Sequence, residues 1–303
     1  MSKAMKKPLV KTLKTLNLMS GTASSLEEIL RHRKQSERAH RLATPRGGVE
    51  RRRFSVGQIS CEEIKPSSSC DPDYVILYCH GGGYIGGDLG YAGNLGVKLA
   101  LATGFRVYTF AYRLAPENPY PAAAEDGASM WDYIVGNVAR ADHVFLAGDS
   151  AGGNMALCLT QRLISEGKSC PRELLLFSPW TDMTGTSGSY EKNRDIDPIL
   201  TREFVMNSAR AYIGDNDPED PAFSPLFGSF EGFPPVFIMA GKNGILLDDS
   251  IKLKERIDKA GGTAVLDIEE EGWHVYQHMP VSIAREAMKR LGDHVSDEVY
   301  GKQ

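Results

Sequence analysis

The chain is built from short apolar runs that alternate with longer amphipathic stretches. Runs such as VILYC (75–79) and VFLA (144–147) are apolar on both faces, as expected of strands inside a parallel sheet. The alternation predicts an α/β fold, with a mostly parallel central sheet flanked by helices. In such sheets ligands bind at the carboxyl ends of the strands, so functional residues are expected there. The predicted strands are 53–59, 74–79, 106–111, 143–147, 174–177, 236–240 and 264–268, and the predicted helices are 1–20, 25–43, 92–103, 122–137, 153–166, 201–212, 249–260 and 282–295.

Composition excludes several classes of protein. With 42% hydrophobic residues, 24% charged residues and a mean hydropathy of -0.29, the chain is not expected to be disordered, collagen-like or a membrane-spanning protein. Five cysteines without C-x-x-C spacing favour reduced thiols over disulfides or a zinc site. Lys11 and Lys14 interrupt the only stretch that resembles a signal peptide, so we expect a cytoplasmic protein.

The charge is unevenly distributed. The net charge is -4, yet the first 53 residues contain 14 Lys and Arg against 4 acidic residues. Nucleic-acid binding through this segment is one interpretation, but Phe54 is the first aromatic residue in the chain and no known binding motif is present. We therefore expect no nucleic-acid partner and no membrane span.

The motif GDSAGG at 148–153 matches G-x-S-x-G and lies between a predicted strand and a predicted helix. A turn this tight needs small neighbours and presents its central residue, Ser150, at the sheet edge. The helix N-terminus also favours negative charge on the hydroxyl. The alternative is a glycine-rich turn in which the serine only caps the helix. The context predicts Ser150 as a nucleophile.

A second motif, HGGG at 80–83, follows the strand 74–79 directly. Consecutive glycines leave main-chain N–H groups accessible, as an oxyanion hole requires, although a flexible turn would have the same composition. We predict Gly82, Gly83 and Ala151 as the oxyanion donors. His80 is expected to fix the loop through a hydrogen bond.

A general base should follow the serine, after the last strand of the sheet. His274 lies in the sequence EGWH directly after the strand 264–268 and is the candidate. His278 lies one helical turn further on and is the less suitable of the two.

Together with YRLAPE at 112–117, SPW at 178–180 and WHV at 273–275, these motifs resemble the hormone-sensitive-lipase-like esterases, or bacterial esterase family IV, of the α/β-hydrolase fold. The resemblance covers about residues 74–276 and implies a carboxylesterase for short to medium acyl esters. It implies no cofactor and no metal, a small-molecule ester as partner, and leaves a homodimer open. It also implies a core of 51–180 and 234–303 with a helical cap formed by 1–50 and by an insertion at 181–233.

The chain departs from the family at the triad acid. The family has Asp or Glu in the loop that here reads GKNGILLDD (241–249), at the position of Gly244. Three interpretations remain: Asn243 orients His274, Asp248 reaches it, or the position was substituted and the enzyme is impaired. A ligand-binding member of the fold without turnover is the alternative function. A trypsin-like peptidase is excluded because its histidine and aspartate precede its serine.

Overall fold

The computed structural model describes residues 24–45 and 47–301. Within this part of the chain, eight strands form one sheet in the order β1-β2-β4-β3-β5-β6-β7-β8. The pairs β1–β2 and β2–β4 are antiparallel, and β3 to β8 are parallel. The strands are β1 (Val49–Val56), β2 (Ile59–Pro66), β3 (Val75–Cys79), β4 (Arg106–Ala111), β5 (Val144–Asp149), β6 (Glu173–Phe177), β7 (Val236–Gly241) and β8 (Ala264–Glu269).

Helices cover both faces of this sheet. The chain passes from β3 to β4 in one direction and from β4 to β5 in the other, so right-handed crossovers place the intervening helices on opposite faces. Accordingly, α2 packs beside α8, and α3 packs beside α4. The helices are α1 (Leu26–Ala43), α2 (Leu89–Thr103), α3 (Ala122–Asn137), α4 (Ala151–Ser165), α5 (Ser189–Lys192), α6 (Arg202–Ile213), α7 (Leu247–Lys259) and α8 (Ser282–Tyr300).

The predicted strand 53–59 is wrong. It spans the turn of a hairpin in which Val56 lies opposite Ile59, and β2 was missed. The reason is that β1 is an edge strand whose sequence, VERRRFSV, has little apolar alternation. Its arginines pair across the strands, with Arg51 at 2.6 Å from Glu62 and Arg52 at 2.9 Å from Glu63. Part of the basic segment is therefore neutralised within the sheet.

The other elements lie close to their predicted positions. The helix predicted over 25–43 is α1, whereas the one predicted over 1–20 lies outside the described residues. α1 packs against α2, and its His32 ring lies 5.3 Å from that of Phe204 in α6. All five cysteines are free thiols. No described helix combines the length and apolar character needed to cross a membrane.

The segment 181–233, between β6 and β7, is hereafter called the insertion. It contains α5 and α6, and α5 was not predicted. Five residues of the insertion line the cavity of the candidate site: Ile199, Leu200, Phe204, Val205 and Ser208. The sheet thus provides the floor of the site, and the insertion provides much of its roof.

Candidate active site

Ser150 lies on a strained turn between β5 and α4. Its backbone has φ 52° and ψ -117°, a left-handed conformation that a non-glycine residue rarely adopts. The helix after it packs directly on β3, because a Cβ at Gly152 would lie 2.0 Å from the carbonyl oxygen of Cys79. The Ser150 N–H donates to the carbonyl of Phe177 at 3.0 Å, which ties the turn to β6. This is the geometry that the G-x-S-x-G motif predicts.

His274 meets Ser150 as predicted from the order of the motifs. The Nε2 atom of His274 lies 3.0 Å from the Oγ atom of Ser150, although the two residues are 124 positions apart. Both side chains are buried, with exposed fractions of 4% and 8%. Burial lowers the pKa of His274 to about 3, with a smaller opposing contribution from Asp149. The imidazole is therefore neutral at ordinary pH, the form in which it accepts a proton.

The glycine loop lies beside this pair. Gly82 and Gly83 line the same cavity as Ser150 and His274, and Ala151 is the first residue of α4. Gly82 has φ 111°, and a Cβ there would lie 2.3 Å from the carbonyl oxygen of Gly86. Only glycine fits this position, so the tight loop can bring bare main-chain amides next to the serine.

His80 holds the base of the loop. Its Nδ1 atom lies 2.7 Å from the carbonyl oxygen of Gly81, and its ring stacks on Tyr112 with a centroid distance of 4.1 Å. The Tyr112 hydroxyl donates to the His80 carbonyl at 2.8 Å. These contacts agree with a loop-fixing histidine.

Sequence reasoning missed the role of Asp149, which precedes the serine in GDSAGG. Its buried carboxylate accepts hydrogen bonds from the Gly81 N–H at 2.7 Å, the Tyr78 hydroxyl at 2.5 Å and the Tyr91 hydroxyl at 2.7 Å. Burial alone would raise its pKa, but His278 and the two tyrosines lower it to about 2. An ionised carboxylate therefore anchors the glycine loop. The Nε2 atom of His278 lies 3.5 Å from it.

The position of the expected acid is adjacent to His274. A Cβ at Gly244 would lie 3.2 Å from the main-chain nitrogen of His274, and its φ is compatible with other residues. Neither suggested substitute contacts the imidazole: Asn243 donates to the Glu270 carbonyl at 3.3 Å, and Asp248 accepts from the Ser189 N–H at 2.8 Å. The Nδ1 atom of His274 is buried without a hydrogen-bond partner among the described residues.

The cavity in front of Ser150 is mainly apolar. Trp180 lines it, whereas Tyr84 stacks on Tyr212 at 3.7 Å and Phe223 packs against Tyr120. No group of three potential metal-ligating side chains occurs within the described ranges. The lining residues other than the loop, Ser150 and His274 are Tyr91, Trp180, Ile199, Leu200, Phe204, Val205, Ser208, Leu246, Val275, His278 and Met279.

Comparisons with known proteins identify relatives of this chain. Residues 76–278 match the model of an alpha/beta hydrolase fold family. An esterase of Acinetobacter venetianus is 32% identical over 230 residues, which cover 76% of this chain and 75% of that protein. An acetyl-hydrolase of Streptomyces hygroscopicus is 31% identical over 255 residues, which cover 83% of each. The crystal structure of an esterase from the bacterial hormone-sensitive lipase family matches with a TM-score of 0.89 and 29% identity, over 99% of this chain and 100% of that one.

Proposed function

Because the chain belongs to the hormone-sensitive-lipase-like α/β-hydrolases and is a carboxylic ester hydrolase, we propose that it works through an acyl-enzyme on Ser150. The observation that carries the proposal is the 3.0 Å contact between His274 Nε2 and Ser150 Oγ. A buried neutral imidazole at this distance is placed to accept the serine proton.

The reaction begins when the Ser150 oxygen attacks the ester carbonyl and its proton passes to Nε2 of His274. The oxygen of the tetrahedral intermediate carries the negative charge and accepts hydrogen bonds from the main-chain N–H groups of Gly82, Gly83 and Ala151. When the intermediate collapses, the C–O bond to the alcohol breaks and His274 returns the proton to the leaving alkoxide. Water, deprotonated by the same imidazole, then attacks the acyl-enzyme and releases the acid.

Because residue 244 is a glycine, turnover should be slower than in an enzyme with a complete Ser-His-acid triad. The acid of a Ser-His-Asp system selects the imidazole tautomer with a proton on Nδ1, and its replacement by an amide costs about four orders of magnitude in kcat. Here Nδ1 of His274 has no partner within residues 24–45 and 47–301. The oxyanion donors and the nucleophile remain, so turnover is reduced and not abolished.

The substrate is a small neutral ester. The described residues that line the cavity include no Lys, Arg, Asp or Glu, so an acyl group with a charge would lose its hydration without gaining a partner among them. Phe204 and Val205 of α6 line the cavity from the insertion side with apolar side chains, and we infer that they restrict the length of the acyl chain. Short to medium acyl chains therefore fit this site better than long ones.

A rapid-mixing experiment with p-nitrophenyl acetate tests the mechanism. We expect a burst of p-nitrophenol of up to one equivalent per chain, followed by slow turnover as the acyl-enzyme hydrolyses. A fluorophosphonate should label Ser150 covalently, and Ser150→Ala should abolish both signals.

The alternative function is a ligand-binding member of the fold without turnover, which the glycine at the acid position favours. It predicts no burst and no labelling of Ser150 by the fluorophosphonate. The two functions therefore differ in a single covalent assay.

A further inference from the structure

Asp197 is a buried carboxylate that neither the motifs nor the mechanism above uses. It lies in the insertion, between α5 and α6, with an exposed fraction of 5%. Its Oδ1 atom accepts from the N–H groups of Ile199 at 2.9 Å and Leu200 at 3.3 Å. No cation within the described ranges forms an ion pair with it, although buried carboxylates usually have one.

The other carboxylate oxygen faces the loop of the missing acid. Oδ2 of Asp197 accepts from the Ile245 N–H at 3.0 Å. The main-chain N–H of His274 lies close enough to this carboxylate to lower its pKa. The Cβ that Gly244 lacks would lie 3.2 Å from the same His274 nitrogen. Asp197 thus reaches, from the insertion, the loop in which the family has its acid, at the residue directly after Gly244.

Neighbouring residues of the insertion hold the same loop. The Asn193 amide donates to the carbonyls of Lys242 at 3.0 Å and Gly244 at 2.8 Å, and the Ser189 hydroxyl donates to the Ile245 carbonyl at 2.7 Å. These bonds fix the position of Asp197 relative to the loop that follows β7. A carboxylate held this firmly is preorganised and does not have to move during the reaction.

We propose that Asp197 is a positioning residue for His274 that partly replaces the absent triad acid. Its carboxylate binds the Ile245 N–H of the adjoining loop and lies close to the main-chain N–H of His274, which brings a negative charge near the imidazole. That charge stabilises the imidazolium that forms when Ser150 attacks, because the site is buried and screening is weak. Asp197 does not supply the hydrogen bond to Nδ1, so the replacement is incomplete. The inference rests on the mechanism proposed above.

The protonation of Asp197 is compatible with this role. Burial raises its pKa to about 6, and the main-chain N–H groups of Ile199, Ile245, Leu200 and His274 oppose the rise. At pH 8, where ester hydrolysis is assayed, the carboxylate is therefore ionised. It carries the charge that the imidazolium needs.

A double-mutant cycle separates this role from a purely structural one. We expect Asp197→Asn to lower kcat for p-nitrophenyl acetate at least about tenfold at pH 8, with KM changed less than about threefold. In the background of Gly244→Glu, where a carboxylate can reach Nδ1, the same change should lower kcat less than about threefold. Equal losses in the two backgrounds, or a loss below threefold in the first, would overturn the proposal.

Matched variants control for folding. Asp248→Asn alters another carboxylate that bonds the insertion to the same loop, through the Ser189 N–H, and should change kcat much less than Asp197→Asn. Asp197→Ser removes the charge without placing an amide N–H opposite that of Ile245. It should reproduce the loss in kcat with the same dependence on residue 244, and a normal rate would contradict the role of the charge.

One measurement needs no change at Asp197. A fluorophosphonate expels fluoride and leaves a neutral phosphonate ester on Ser150. When this ester loses its alkoxy group by hydrolysis, it carries a negative oxygen next to His274 that favours the imidazolium, so the carbon-13 signal of the Asp197 carboxyl should titrate at lower pH in the hydrolysed adduct. An unchanged titration would refute the proposal. If Ser150 cannot be labelled at all, the acyl-enzyme mechanism itself fails, which distinguishes that outcome from the failure of Asp197 alone.

Discussion

Gly244→Glu is the perturbation that most directly tests the chemistry of this site. The new side chain would start 3.2 Å from the main-chain nitrogen of His274, next to an imidazole whose Nδ1 lacks a partner among the described residues. A carboxylate there can accept the Nδ1 proton and so select the tautomer in which Nε2 is a base.

The expected gain follows from the cost of losing the acid. Removal of a triad acid lowers kcat by about 10⁴, or about 5.5 kcal/mol. Recovery should be partial for two reasons. The new Cβ is also only 3.3 Å from the Gly241 carbonyl oxygen, so the loop must shift. The carboxylate of Asp197 lies nearby, and two close carboxylates raise the pKa of one of them. We expect kcat to rise about 100-fold, or about 2.7 kcal/mol.

The assay is steady-state hydrolysis of p-nitrophenyl acetate at pH 8, where the carboxylates are ionised. Gly244→Gln is the matched control, because it fills the same space without charge and should remain at least about tenfold slower than Gly244→Glu. Gly244→Asp tests whether a carboxylate on a shorter side chain can also accept the Nδ1 proton of His274. An unchanged kcat in both acidic variants, or an equal gain with glutamine, would refute the assignment of position 244.

Three further predictions concern the loop, the pocket and stability. Asp149→Asn should lower kcat about 100-fold, because the Gly81 N–H loses its ionised acceptor and the glycine loop shifts. Tyr91→Phe, which removes one donor to the same carboxylate, should lower kcat less than about tenfold. Equal losses of kcat in the two variants would argue against anchoring of the loop by Asp149. Val205→Trp should reduce hydrolysis of p-nitrophenyl hexanoate at least about tenfold more than that of the acetate, and a uniform loss would place the acyl chain elsewhere. Burial raises the pKa of Asp249 to about 7, above its unfolded value, so its contribution to stability is complete at low pH and is lost as the pH rises through 7. The urea midpoint should fall by about 0.5 M between pH 5 and pH 8, and Asp249→Asn should reduce this fall.

The sequence predicted the parallel sheet and the Ser150–His274 pair because both depend on local patterns. The sequence alone identifies buried strands by their runs of β-branched and apolar residues, and it identifies the nucleophile turn by the glycines beside the serine. The strand β2 was missed because its edge partner β1 is stabilised by arginine–glutamate pairs and not by an apolar face. Asp149 could have been suspected from its place in GDSAGG, but its partners Tyr78 and Tyr91 come from other elements.

Asp197 could not have been found in this way. It lies 77 positions before His274, in a segment whose composition only indicated a long loop. Its importance depends on which main-chain N–H groups surround it, and these belong to two loops brought together by the sheet. A buried charge of this kind is determined by tertiary structure, whereas a nucleophile elbow is determined by its own sequence.

The bonds from Ser189, Asn193 and Asp197 to the loop after β7 bear on how such enzymes can be re-engineered. Exchanging this segment between homologues in order to alter acyl-chain preference would here also disturb the support of the imidazole. Chimaeras that keep residues 189–197 and replace only the portion from α6 onward should change selectivity while retaining turnover. We therefore expect that acyl-chain selectivity can be changed without loss of turnover only when the exchanged segment begins after Asp197.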